Sequence, residues 1–182
     1  MLILDEAYGD FADFPHRCEL LNSTIGHQLV ITRTFSKSYS LAGIRFGFAV
    51  AHPSIISGLR KMKDSYNCDA LSLAAATAAI QDQEWMAANT AKIRATRERM
   101  VPELEKLGFK VVPSQANFVW ATHASGQHKH QYDALRAKKI LVRFMTFPDV
   151  PWAENQTLDG MRITIGTDEE VDRLIAALKE IV

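Results

Sequence analysis

A chain of 182 residues has room for one domain or one and a half. Its 21 basic and 21 acidic side chains leave no net basic charge with which to hold nucleic acid or a membrane surface. Apolar residues at 47% can furnish a core, yet no apolar run reaches the ~18 residues of a membrane span. The two cysteines, Cys18 and Cys68, lack metal-type or redox spacing, which argues against a disulfide framework and fits a reducing, cytoplasmic compartment.

The chain opens on "MLILDEAY", a short apolar strand that ends on polar residues. It has no basic leader segment and no small-residue cleavage site, so it does not read as a signal peptide. A buried strand at the second residue is an unusual start for a domain, and we expect further sequence upstream. "QLVITRTF" (28–35) and "RFGFAVA" (45–51) predict two more strands, rich in β-branched and aromatic residues. Their apolar character suggests burial on both faces, as in a mostly parallel sheet. Ligands of such sheets bind beyond the strand carboxyl ends. Asp5 and Lys37 both follow strands and are expected to face one crevice.

Helices come next. His52-Pro53-Ser54 predicts a helix start running to Lys63, with proline in the first turn. "CDALSLAAATAAIQDQ" is an alanine-rich helix. A long helical pattern runs from Glu84 to Leu107, with Ile93, Met100, Leu104 and Leu107 on one face. Lys92, Arg94, Arg97 and Arg99 are read as its solvated face. Pro102 is expected to kink or restart the helix, and Gly108 to stop it. The remainder predicts a smaller α+β unit: strands "FKVVPS" and "NFVWAT", a helix over 129–138, strand "ILVRFM", a loop with Pro148 and Pro151, and strand "MRITIG". Thr167 and Glu170 have capping-box spacing, and Val171, Leu174, Ile175 and Leu178 trace the apolar face of a last helix.

Chemistry concentrates in "RTFSKSYSLAGIRFG", residues 33–47. Lys37 stands among serines with no carboxylate in the stretch. A surface lysine on a polar turn is the plain reading; a lysine whose amine forms a Schiff base is the sharper one. Small neighbours leave space for a flat cofactor, and the hydroxyls of Thr34 and Ser36 can reach a phosphate. Arg45 adds a two-pronged, permanently charged phosphate contact. Asp5 can pair with a protonated ring nitrogen, and Tyr8 can donate to a ring oxygen. His123, His128 and His130 have no cysteine partners and no fixed helical spacing, so a solvated loop is the better reading than a zinc site. Tyr66 and Asn67 read as a turn, with a place along the cleft as the alternative, Asn117 as either a substrate contact or the end of a loop, and Arg173 as one side of a surface ion pair.

"DEAY" followed by "TFSKSYSLAGIRFG" resembles the pyridoxal-phosphate aminotransferases of fold type I. The "RTFSK" and "LAGIRFG" form, with the ending "MRITIGTDEEVDRLIAAL", is most similar to the histidinol-phosphate subgroup. The resemblance implies an α/β fold, the C-terminal part of the pyridoxal-phosphate-dependent transferase fold. Residues 1–82 would be part of the large cofactor-binding domain and the start of the interdomain helices, and 83–182 the small α+β domain. It implies that Lys37 bonds the aldehyde of pyridoxal 5'-phosphate and moves a proton. Asp5 would keep the pyridine nitrogen protonated, Tyr8 would bond the ring oxygen, and Ser36, Arg45 and Thr34 would hold the phosphate. Arg162, in "MRITIG", matches the arginine that binds a carboxylate or phosphate of a small amino- or keto-acid substrate. The implied reaction moves an amino group between glutamate and imidazole acetol phosphate. Another amino-acid aminotransferase or a threonine-phosphate decarboxylase-like enzyme is the alternative within the class. In this family about half the chain precedes the "DEAY" strand. From that we expect a homodimer or a missing N-terminal half, and the rival expectation is a catalytically silent, self-associating fragment.

Overall fold

Three strands form the first sheet of the computed structural model, which describes residues 1–14, 16–148 and 158–182. They are β1 (Leu2–Asp5), β2 (Leu29–Thr34) and β3 (Gly47–Ala51), in the order β1-β2-β3. β1 runs parallel to β2, and β3 runs antiparallel to it. Among the described residues of this sheet β2 alone has a neighbour on both sides, and Leu29, Val30 and Ile31 are buried. Leu2 and Ile3 of β1 and Phe48 and Val50 of β3 stay exposed. The expectation of strands covered on both faces therefore holds for β2 alone.

Helices α1 (Pro53–Met62) and α2 (Ala70–Gln81) begin on side-chain caps. The His52 ring accepts from Ser54 N, with Pro53 in the first turn, and the Asp69 carboxylate accepts from Ser72 N at 2.8 Å. Phe35, Tyr39 and Ala76 form a small core, flanked by Leu41, Ile44, Phe46, Ala79 and Met86. Phe35 lies 5.0 Å from Tyr39 and 5.7 Å from Phe46, ring centre to ring centre.

Helix α3 (Gln83–Lys106) is continuous through Pro102, which neither ends nor restarts it. Met100 and Leu104 are fully buried on either side of the proline, so packing holds the helix across the missing N–H bond. Arg97 departs from the solvated face expected of it: it is buried and donates to the carbonyl of Ala116 at 2.9 Å. Gly108 does stop the helix, with φ +84°. A side chain there would also meet His123 Nε2 at 2.9 Å.

β4 (Phe109–Val112), β5 (Phe118–His123), β6 (Arg143–Phe147) and β7 (Leu158–Thr164) make a second, antiparallel sheet in the order β4-β5-β7-β6. α4 (His128–Ala137) and α5 (Asp168–Ile181) complete this half. Val119, Ala121, Met161 and Ile163 from the strands meet Leu135, Val171, Leu174, Ile175 and Leu178 from the helices in one core. β6 begins later than the apolar run "ILVRFM" suggests. Ile140 N bonds the carbonyl of Leu135 and Lys139 N that of Arg136, with Lys139 at φ +61°. That is a Schellman cap, so Ile140 finishes α4 instead of starting a strand. The capping box at Thr167 and Glu170 is present with both bonds formed. By internal contacts the chain divides into two units, Met1–Ala91 and Lys92–Val182. Pro151 lies outside the described residues.

Candidate functional site

Because β1 and β2 run parallel, with Asp5 beside Thr32, their carboxyl ends open on one edge of the sheet. Asp5 and Thr34 are the last residues of their strands. The segments leaving that edge carry Tyr8 on one side and Ser36 and Lys37 on the other. Asp5 Oδ1 accepts from Ala7 N at 3.0 Å and from Thr32 Oγ1 at 3.3 Å, which fixes the carboxylate at the strand end. The Lys37 ammonium lies 5.5 Å from the centre of the Tyr8 ring. That approach is within cation–π range. Among the described residues no carboxylate pairs with Lys37.

The turn around Lys37 is built from local bonds. Thr34 Oγ1 accepts from Ser36 N at 3.1 Å and donates to the carbonyl of Phe46 at 3.4 Å. Ser40, at φ +55°, donates its N–H to the carbonyl of Lys37. Tyr39 turns inward, where its hydroxyl accepts from Gln83 Nε2 at 3.1 Å. Arg45 holds the left-handed conformation, φ +53°, an uncommon setting for a side chain that is not glycine. Its Nη1 donates to the carbonyl of Ala42 at 2.9 Å and reaches Ser36 Oγ at 3.5 Å. No carboxylate among the described residues neutralises this guanidinium. Two cations and two hydroxyls thus stand on one side of the edge and a carboxylate on the other, an arrangement able to hold a polar, anionic group lengthwise.

Arg162 belongs to the second unit, on β7, opposite Trp120 of β5. Its guanidinium lies 5.0 Å from the Phe118 ring centre, and its Nε is buried with no hydrogen-bond partner among the described residues. Arg143 of β6 stands directly opposite it. Two arginines in a cross-strand pair repel, and here no acidic partner for either lies among the described residues. An anion is the natural complement. Arg143 escapes a reading of "ILVRFM" as a strand, because its importance comes from register with a strand fifteen or more residues away.

The histidines correct an expectation. His128 is buried, not solvated. Its Nε2 accepts from the backbone N–H of His123 at 2.6 Å, and its Nδ1 faces Asp159 Oδ1 at 2.9 Å. A backbone N–H can only donate, so Nε2 carries the lone pair and Nδ1 the proton. His128 is a tether between the start of α4 and two strands. No group of three His, Cys, Asp or Glu among the described residues is placed to hold a metal. Asn67 accepts from Lys63 Nζ at 3.2 Å, Tyr66 is almost wholly exposed, and the carbonyl of Asn117 receives Ile165 N. Arg173 is exposed and has no ion-pair partner among the described residues.

The family model "Aminotransferase class I and II" matches residues 1–178. A histidinol-phosphate aminotransferase of Rhodopirellula baltica is 51% identical over 171 residues, covering 94% of this chain and 44% of that protein. Its counterpart in Geobacter sulfurreducens is 47% identical over 182 residues, covering 100% of this chain and 49% of that one. A crystal structure of histidinol-phosphate aminotransferase from Sinorhizobium meliloti in complex with pyridoxal-5'-phosphate superposes with a TM-score of 0.84 at 29% identity. The match covers 100% of this chain and 48% of that one. The chain spans about half the length of the curated relatives it matches.

Proposed function

Since this chain belongs to the class I and II aminotransferases, we propose that it serves as a histidinol-phosphate aminotransferase. It would use pyridoxal 5'-phosphate to move an amino group between glutamate and imidazole acetol phosphate. Identity of 51% and 47% to two enzymes of that name supports the choice over another amino-acid aminotransferase or a threonine-phosphate decarboxylase. The observation that carries the cofactor is the placing of Lys37, 5.5 Å from the Tyr8 ring, at the strand edge that also bears Asp5 and Thr34.

The residues fit the group. Arg45, free of carboxylate partners among the described residues, and Ser36 offer donors to a phosphate, with Thr34 behind them bracing the Ser36 backbone. The Asp5 carboxylate is held by Ala7 N and Thr32 and suits a protonated ring nitrogen. Tyr8 carries a phenol for the ring oxygen. Pyridoxal phosphate, when bound, supplies an electron sink that stabilises negative charge at the substrate Cα. Lys37 provides the amine that holds the aldehyde end, and its Nζ then holds or passes a proton as a general base and acid. Arg45 anchors and orients through a rigid fork. Arg162, with Arg143 beside it, binds the carboxylate or phosphate of the substrate. On this proposal residues 1–82 form the cofactor side and 83–182 the small domain, which carries Arg162. The assembly is a homodimer, and the exposed thiols of Cys18 and Cys68 support a reducing cytoplasm.

The test is spectroscopic. Pyridoxal phosphate added to the 182-residue protein is expected to give a visible absorption band that sodium borohydride reduction fixes to Lys37. Lys37→Ala abolishes the band, and Arg162→Ala keeps it while raising KM or lowering kcat. Absence of a band at millimolar cofactor refutes a working site in this chain. The second proposal, a catalytically silent self-associating protein, then stands; the exposed Leu2, Ile3, Phe48 and Val50 favour it.

A further inference from the structure

Behind the turn that carries Lys37 lies a buried group of charges that the proposed chemistry does not use. Side chains alternate along β2. Thr32 and Thr34 turn toward Asp5 and Ser36. Arg33 turns the other way, with 14% of its side chain exposed, between two carboxylates. Its Nη2 donates to Asp10 Oδ1 at 2.5 Å, and its Nη1 lies 3.5 Å from Glu6 Oε2. Glu6 and Asp10 are themselves 8% and 6% exposed. The other oxygen of Asp10 accepts from the hydroxyl of Ser38, a residue 2% exposed. The other oxygen of Glu6 accepts from Arg17 N at 2.9 Å. His16 closes the group, with Nδ1 3.2 Å from Glu6 Oε2 and Nε2 3.2 Å from Asp10 Oδ1.

The sequence positions give this group its meaning. Glu6 sits between Asp5 and Tyr8, and Ser38 directly follows Lys37. Asp10 bonds both β2, through Arg33, and the Lys37 turn, through Ser38. We infer that Asp10 is a positioning residue: held by Arg33, it locks the Lys37 turn to the segment bearing Asp5 and Tyr8, so that amine, carboxylate and phenol keep one spacing. The Ser38 hydroxyl, buried, takes its partner from across the fold and not from its own turn. Two buried carboxylates placed only for stability would be a poor choice against apolar residues of like size. This inference rests on the cofactor-site proposal for its purpose but on the network for its content.

The experiment needs no cofactor. Backbone amide exchange over 36–40 and acetylation of the Lys37 amine by a trace of acetic anhydride, each followed by mass spectrometry, read the turn directly. Exposed Lys61 serves as the internal reference for acetylation, and β4 and β5 for exchange. Asp10→Asn and Ser38→Ala are each expected to raise exchange over 36–40 about tenfold, the scale of one hydrogen bond to a charged group. Both should change Lys37 acetylation relative to Lys61, and Ser38→Thr, which keeps the hydroxyl, should restore both signals. Unchanged exchange and acetylation in Ser38→Ala would overturn the inference. So would a uniform rise over the whole of Met1–Ala91, the mark of a residue that merely holds the fold. Cofactor binding is scored separately: a turn loosened in a protein that gives no visible band upholds this inference and fails the cofactor proposal, while a normal band with an unloosened turn does the reverse.

Discussion

Arg45 shows how much a single residue can carry. It occupies a backbone conformation that glycine adopts more readily, φ +53°, and it spends one nitrogen on its own turn through the carbonyl of Ala42. That same nitrogen reaches Ser36 Oγ at 3.5 Å, so the fork is tied to the turn that bears Ser36. Arg45→Lys keeps the charge and loses the fork, so cofactor affinity should fall by about tenfold, in line with one charge-assisted hydrogen bond. Equilibrium titration of the visible band measures it, and an unchanged dissociation constant would contradict the proposed phosphate role. The proposed roles of Asp5, Tyr8, Lys37 and Arg45 are argued from sequence because these residues stand in two short stretches whose order and spacing survive without the fold. Arg143 is not legible, because only strand register sets it against Arg162. The bond from Asp10 to Ser38 is hidden for the same reason, since 28 positions separate the two.

Among elements, the helix ends decide where the sequence reading succeeds. Caps are local, so the starts of α1 and α5 and the stop at Gly108 follow from three or four residues each. The start of β6 is hidden in the sequence because Ile140 serves the cap of α4, a role that its apolar character conceals. The helix's continuity through Pro102 is hidden likewise, because the burial of Met100 and Leu104 is a tertiary fact. α5 also shows how a cap becomes a pH response. Asp168, in its first turn, accepts from Thr96 Oγ1 at 2.9 Å and Arg99 Nη2 at 3.0 Å. The bond from Thr96 first, and that from Arg99 next, hold its carboxyl below the usual carboxylate range. A group whose pKa falls on folding binds more protons when unfolded, so stability rises with pH through that range. The contribution is whole above the unfolded value of about 4 and is lost as pH falls through the lower folded value. Asp168→Asn should therefore flatten the acid limb of the melting temperature against pH, while the neutral plateau drops only slightly because the site is exposed. An acid limb identical to that of the parent protein would refute the link.

At the scale of the whole molecule the first sheet sets the behaviour. Its two outer strands, "LILD" and "GFAVA", present apolar edges with a single acid and no lysine or proline to discourage pairing. Leu2 and Ile3 are 53% and 60% exposed, and Leu71 and Leu73 on α2 are 84% and 54% exposed. Apolar area of this kind gains about 25 cal/mol for each Å² removed from water, and a second strand would satisfy the free backbone groups at the same time. We propose that self-association uses this surface, and concentration distinguishes association from isolated chains. Size-exclusion chromatography across a hundredfold dilution should show the 182-residue protein eluting above its monomer mass at the concentrated end. Val50→Lys places a charge on an exposed position of the β3 edge strand, where desolvating it on contact is costly. That variant should shift elution toward the monomer without loss of helix signal in circular dichroism. A parent protein that elutes as a monomer at every concentration would sink the argument, because an edge this apolar would then be stable in water by itself.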